Sequence, residues 1–140
     1  MPYTTKKARV TLWIIQGVLA ALFLFAGGFK LATPLAVLAR LSPLPAPFFK
    51  FIGVCEVAGA LGLILPGVLR IRTDLTALAA LGLVIIMIGA VVTTVVYQGA
   101  AGAVVPFVVG VLAAIVARGR WQPRRFTVAQ APHQALAKAA

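Results

Sequence analysis

Charge disappears from this chain over three long stretches. Val10 to Phe29 carries no Asp, Glu, Lys, Arg or His, and Leu75 to Ala117 carries none either. Phe51 to Leu69 is interrupted once, by Glu56. A water-soluble fold of 140 residues cannot hide so much apolar surface, so the bilayer is the expected solvent. About 20 residues cross the hydrocarbon. The last stretch is too long for one crossing, and it is broken at Tyr97-Gln98-Gly99, with Gly102 and Pro106 close behind. The pattern therefore predicts an all-α, integral membrane four-helix bundle. Its spans are expected at Val10–Leu31, Phe48–Pro66, Asp74–Val96 and Gly102–Ala117.

The connections differ in kind. Residues 32–47 hold Pro34, Pro43, Pro45 and Pro47, and Leu35–Leu41 within them reads as a short helix lying at the interface. Pro66-Gly67 is expected to stop the second span, with a tight basic turn at Arg70-Ile71-Arg72. Thr73 or Asp74 then caps the third. Residues 121–140 read as a basic, mobile cytoplasmic tail.

Inside the spans, three stripes at helical spacing differ from the Leu, Ile and Val around them. They are Gln16, Ala20, Phe23, Gly27 and Lys30; Gly53, Glu56, Ala60 and Leu63; and Met87, Ala90, Thr94 and Tyr97, with Gly89 and Thr93 beside the last. Small and polar residues of this kind are what membrane helices bury against one another, so a packing seam accounts for most of them.

Composition agrees with a membrane protein: 62% of residues are hydrophobic and 11% charged, against about 25% charged in soluble domains. The net charge of +11 flanks the apolar spans, which makes anionic lipid headgroups the expected partner rather than nucleic acid. One side collects Lys6, Lys7, Arg9, Arg70, Arg72, Arg118, Arg120, Arg124, Arg125 and Lys138, and the other Lys30, Arg40 and Lys50. That asymmetry predicts N- and C-termini in the cytoplasm and a multi-pass protein of the inner (plasma) membrane. The apolar N-terminal stretch exceeds the roughly 7–15 residues of a signal-peptide core, so it reads as a retained anchor helix.

Glu56 is the residue that asks for an explanation. With the second span starting at Phe48 it lies about 12 Å below the boundary, where a bare carboxylate is costly. Lys30, at the same end of the first span, is the available cation. A lysine reaches roughly 6 Å, so contact needs tilt, a deeper Lys30 or a bridging water. Three readings stand open: a structural Lys30–Glu56 bond, a polar pocket for a small ligand, a quinone or a proton, and an unpaired neutral glutamate. Thr93, Thr94 and Tyr97 approach the same level from the third span and extend the candidate pocket.

Other chemistry is missing. Cys55 is the single cysteine and reads as a small core residue; His133 is the single histidine and lies in the tail. The sequence supplies no residue set for haem, an iron–sulfur cluster, zinc or a nucleophile–base pair, and no phosphate-binding or dinucleotide motif. No catalytic residue, metal site or cofactor is therefore expected.

Four segments together resemble the DoxX-like membrane proteins. Phe25-Ala26-Gly27-Gly28-Phe29-Lys30-Leu31 is similar to the end of their first helix. Residues 53–63, with Glu56, resemble the second-helix signature, and residues 87–94 the third-helix motif. Arg118 and Arg120 match the basic end of the fourth helix, and the likeness runs from about Ala8 to Arg120. It implies a four-helix bundle in the cell membrane and an association with redox systems, since the family takes its name from a small subunit of a quinol oxidase. Some relatives accompany a membrane-bound oxidoreductase complex. Relatives often carry His where Thr94 stands, which removes support for proton transfer or metal binding there. The expected role is thus a non-catalytic membrane subunit or scaffold of a redox or stress-response assembly, with an oxidoreductase complex or further copies of the chain as partners. The rival is a quinone-like binder or membrane enzyme using Lys30 and Glu56. A transporter ranks third, because four short helices need oligomers to form a gated path.

Overall fold

The computed structural model describes residues 6–71 and 74–121. Arg72, expected in the basic turn, and Thr73, one candidate cap, lie outside the described residues, as do the tail beyond Trp121 and His133. Five helices follow one another: α1 (Lys6–Ala32), α2 (Leu35–Leu41), α3 (Ala46–Val68), α4 (Asp74–Gln98) and α5 (Ala100–Arg120). All but α2 are long and apolar enough to cross a membrane. The chain is an all-α membrane bundle.

The bundle is small inside and large outside. Its core holds Leu19, Ala20, Phe23, Ala60, Leu63, Ala80, Leu83, Met87, Ala113 and Val116. Bulky residues such as Phe25, Val96 and Val105 are exposed, as suits helices whose outer faces meet lipid. The first two stripes lie where a packing seam would place them: Gln16, Ala20, Phe23 and Gly27 are buried on α1, and Gly53, Glu56, Ala60 and Leu63 on α3. On α4 the seam runs lower, through Ala77, Ala80, Leu83 and Met87, and Tyr97 falls outside it. Helix α1 packs on α3, α3 on α4, α4 on α5, and α5 returns to α1.

Two breaks differ from expectation. Pro66 does not stop α3, which runs on to Val68. The end comes two residues later, because Ile71 N–H donates to Pro66 O (3.1 Å) while Arg70 takes φ 54°, the left-handed C-terminal lock usually given to glycine. A non-glycine residue there costs about 1–2 kcal/mol. The second break is narrower than expected. Gly99 alone, at φ 86°, separates α4 from α5, so Gly102 and Pro106 lie within α5.

Helix α2 stands at the opposite end of the bundle from the N-terminus of α1 and the C-terminus of α5. It buries Leu38 and packs on α3. Nearby, the end of α1 is closed by side chains: Thr33 Oγ1 donates to Phe29 O (2.7 Å), and Lys50 Nζ donates to Leu31 O (2.9 Å). A cation at a helix C-terminus also meets the negative end of its dipole.

Candidate functional site

Helices α1 and α3 touch through glycine at the α2 end. A Cβ on Gly27 would stand 2.7 Å from Gly53 O, and a Cβ on Gly53 would stand 3.0 Å from Lys30 Cβ. Lys30 is therefore level with Gly53, one turn shallower on α3 than Glu56. The missing side chain at Gly53 opens a lane along which Lys30 extends inward. Its Nζ donates to Glu56 Oε2 at 2.6 Å. The lysine side chain is 15% exposed and the glutamate 4%. Glu56 is the eleventh residue of α3, about 15 Å along its axis from Ala46.

Aromatic and polar groups surround the pair. Lys30 Nζ lies 5.3 Å from the ring centroid of Phe49, close enough for a cation–π contact. Phe49 and Glu56 are seven residues apart on α3 and so share a helix face. That seven-residue spacing from Glu56 was the signal in the sequence that could have marked Phe49. Both residues border a cavity of ≈700 Å³. Phe23 and Met87 supply part of its apolar wall; Ser42, Thr93, Thr94 and Gln98 add polar groups to those of Lys30 and Glu56.

The candidate residues thus separate. Lys30, Glu56, Thr93 and Thr94 border one cavity, whereas Tyr97 does not line it and is 62% exposed. The turn at Gly99 lays α5 over the face of α4 that bears Thr94 and Gln98, where Gly102 approaches Thr94 Cγ2. Tyr97 lies around the helix from that face. Thr93 spends its hydroxyl proton on Gly89 O (2.8 Å), one turn back on its own helix. Glu56 Oε1 receives no hydrogen bond from the described residues, and Lys30 keeps two N–H donors beyond the one given to Glu56. The site can therefore both donate and accept. Among the described residues no three His, Cys, Asp or Glu gather as a metal site.

The profile of the DoxX-like family matches residues 14–116. The chain belongs to the DoxX-like family. The matched segment of this DoxX-like protein takes in Lys30, Glu56, Thr93 and Thr94, and stops before Arg118 and Arg120, at the basic end of the expected likeness. Four apolar helices and this membership make it a multi-pass membrane protein. No curated protein and no solved structure matches the chain.

Proposed function

We propose that this DoxX-like protein holds a small, mainly apolar molecule whose polar head meets Lys30 and Glu56, a quinone being the class that fits best. The observation that carries this reading is the ≈700 Å³ cavity reaching the ion pair. Ligand pockets run from about 300 to 1,000 Å³, are mostly apolar, and fix orientation with a few polar groups. A quinone carbonyl accepts a hydrogen bond from Lys30, and a quinol hydroxyl donates one to Glu56, so the pair suits either form of the head. A simple α1–α3 brace requires no space beside it.

In this reading the protein holds its ligand without transforming it, and Lys30 and Glu56 serve to bind and orient the polar head. Its natural setting is then beside a redox or stress-response assembly that uses the ligand, in the inner membrane, alone or as several copies. The test is titration of purified protein in detergent with a short-chain benzoquinone, read by isothermal calorimetry. Saturable binding at one molecule per chain is expected. Ala90→Phe adds bulk to the cavity wall while leaving Lys30 and Glu56 in the sequence, and should weaken binding about tenfold or more. Absence of saturable binding, or binding indifferent to Ala90→Phe, would sink the proposal.

A further inference from the structure

A second polar cluster occupies the opposite end of the bundle, where α1 begins and α5 ends. Its base is Gln16, 1% exposed. Gln16 Nε2 donates to Leu63 O of α3 at 2.6 Å, which fixes the amide and turns Oε1 toward α5. Arg120 Nε donates to that Oε1 at 2.8 Å. The guanidinium also lies 5.3 Å over the ring of Trp13, and Trp13 rests on Gly67, where a Cβ would come within 2.7 Å of the indole. Three helices and one aromatic ring thus meet at a single guanidinium.

That guanidinium is incompletely used. Arg120 Nη2 is buried and has no hydrogen-bond partner; it is the one such side-chain nitrogen or oxygen among the described residues. Arginine stays charged under any ordinary condition, and a buried charged donor left without an acceptor is a costly arrangement. Fold stability alone does not explain it, because Nε already supplies the tie to Gln16. The surroundings select for negative charge: Lys6, Lys7, Arg9, Arg70 and Arg118 lie at the same end of the bundle, and the field of Arg9 reaches Arg120. A planar guanidinium with unpaired N–H groups matches the oxygens of a phosphate better than a lysine does.

We propose that Arg120, braced by Gln16 and Trp13, is the recognition point of a phosphate-bearing anion bound between α1 and α5 at the termini end of the bundle. The anion is a phospholipid headgroup or free phosphate, both presenting the same oxygens. This site is separate from the Lys30–Glu56 cavity and does not rest on the function proposed for it.

The experiment uses Trp13 as its reporter. The chain has two tryptophans, so the full-length Trp121→Phe protein leaves Trp13 alone beneath Arg120. Its fluorescence is followed in neutral detergent against inorganic phosphate, and in phosphatidylcholine nanodiscs with rising phosphatidylglycerol. A saturable change is expected. Arg120→Gln should weaken it about tenfold or more, whereas exposed Arg118→Gln should change it less than about twofold. Arg120→Lys keeps the charge but loses the flat, Gln16-anchored donor set, and should also lose most of the affinity. It serves as the deciding variant if Arg120→Gln fails to fold. Saturation by phosphate in detergent assigns the site to the free anion; saturation confined to phosphatidylglycerol assigns it to lipid. Equal losses from Arg118→Gln and Arg120→Gln, retention of affinity in Arg120→Lys, or no saturation with either probe overturns the proposal.

Discussion

Lys30 reaches Glu56 by running its side chain inward through the space that Gly53 leaves empty, closing an ion pair of 2.6 Å between α1 and α3. A long cation at a helix end ordinarily extends toward water. Here it does the reverse, and the carboxylate it meets has no alternative cation within ion-pair distance among the described residues.

The two residues should be energetically coupled. Lys30→Met leaves a buried carboxylate uncompensated and should cost about 3–5 kcal/mol. Glu56→Gln should cost less, because a neutral amide needs no counter-charge and Lys30 can swing toward the interface. The double change should cost less than the two single changes added together. Chemical unfolding of the four proteins in detergent measures all three quantities, and additive effects would disprove the coupling.

Gly27→Ala should damage the same contact without touching a charge. The new methyl would meet the backbone at Gly53 O, 2.7 Å away, and Val57 Cγ2, 2.9 Å away, so α1 must move off α3. Overpacking of this kind costs about 1–3 kcal/mol. Gly17→Ala is the control, since nothing stands within 4 Å of its Cβ position. A melting temperature lowered equally by both substitutions would show that glycine flexibility, rather than the close approach, is at work.

Gln16→Leu should loosen the other end of the bundle. It removes the donor to Leu63 O and the acceptor for Arg120 Nε, leaving a second guanidinium nitrogen without a partner. A loss of about 1–3 kcal/mol follows from stranding such a group. Unfolding in detergent measures the loss, and Trp13 emission should change at the same time because Arg120 is released from its ring. Unchanged stability would mean that water replaces both bonds without cost.

Both termini are expected in the cytoplasm, on the strength of the ten Lys and Arg at one end of the spans against three at the other. Reporter fusions after Arg120 and after Gln98 should therefore report opposite compartments, with the first inside the cell. A C-terminus found outside would reverse the orientation.

The spans were legible because absence of charge over about 20 residues has few explanations other than lipid. Helix α2 was legible too, from Leu35–Leu41 between prolines. The helix ends were read less well. Pro66 and Gly102 carry strong breaking signals locally, but α3 can lose one backbone bond near its end, and Gly99 makes the α4–α5 turn alone. At the candidate site, Lys30 and Glu56 stood out as charges in apolar sequence, whereas their register did not. Depth counting separated them; the lane beside Gly53 brought them together, and such a lane depends on how two helices cross. Tyr97 was misplaced for a related reason, since the face α5 covers on α4 is set by the turn at Gly99. The union of Gln16 with Arg120 joins opposite ends of the sequence, and no local pattern announces it.

The ion pair also bears on how the chain is made. Synthesis releases α1 before α3, so Lys30 enters the membrane without Glu56 and can rest near the headgroups until its partner arrives. Glu56 has no such refuge about 15 Å along α3. The first helix thus acts as a waiting counter-ion for the third, and order of emergence matches order of need. Crosslinking between positions 30 and 56 on nascent chains stalled at successive lengths should appear as soon as α3 clears the insertion machinery. Crosslinks delayed until α5 has emerged would show instead that the pair closes only on the finished bundle.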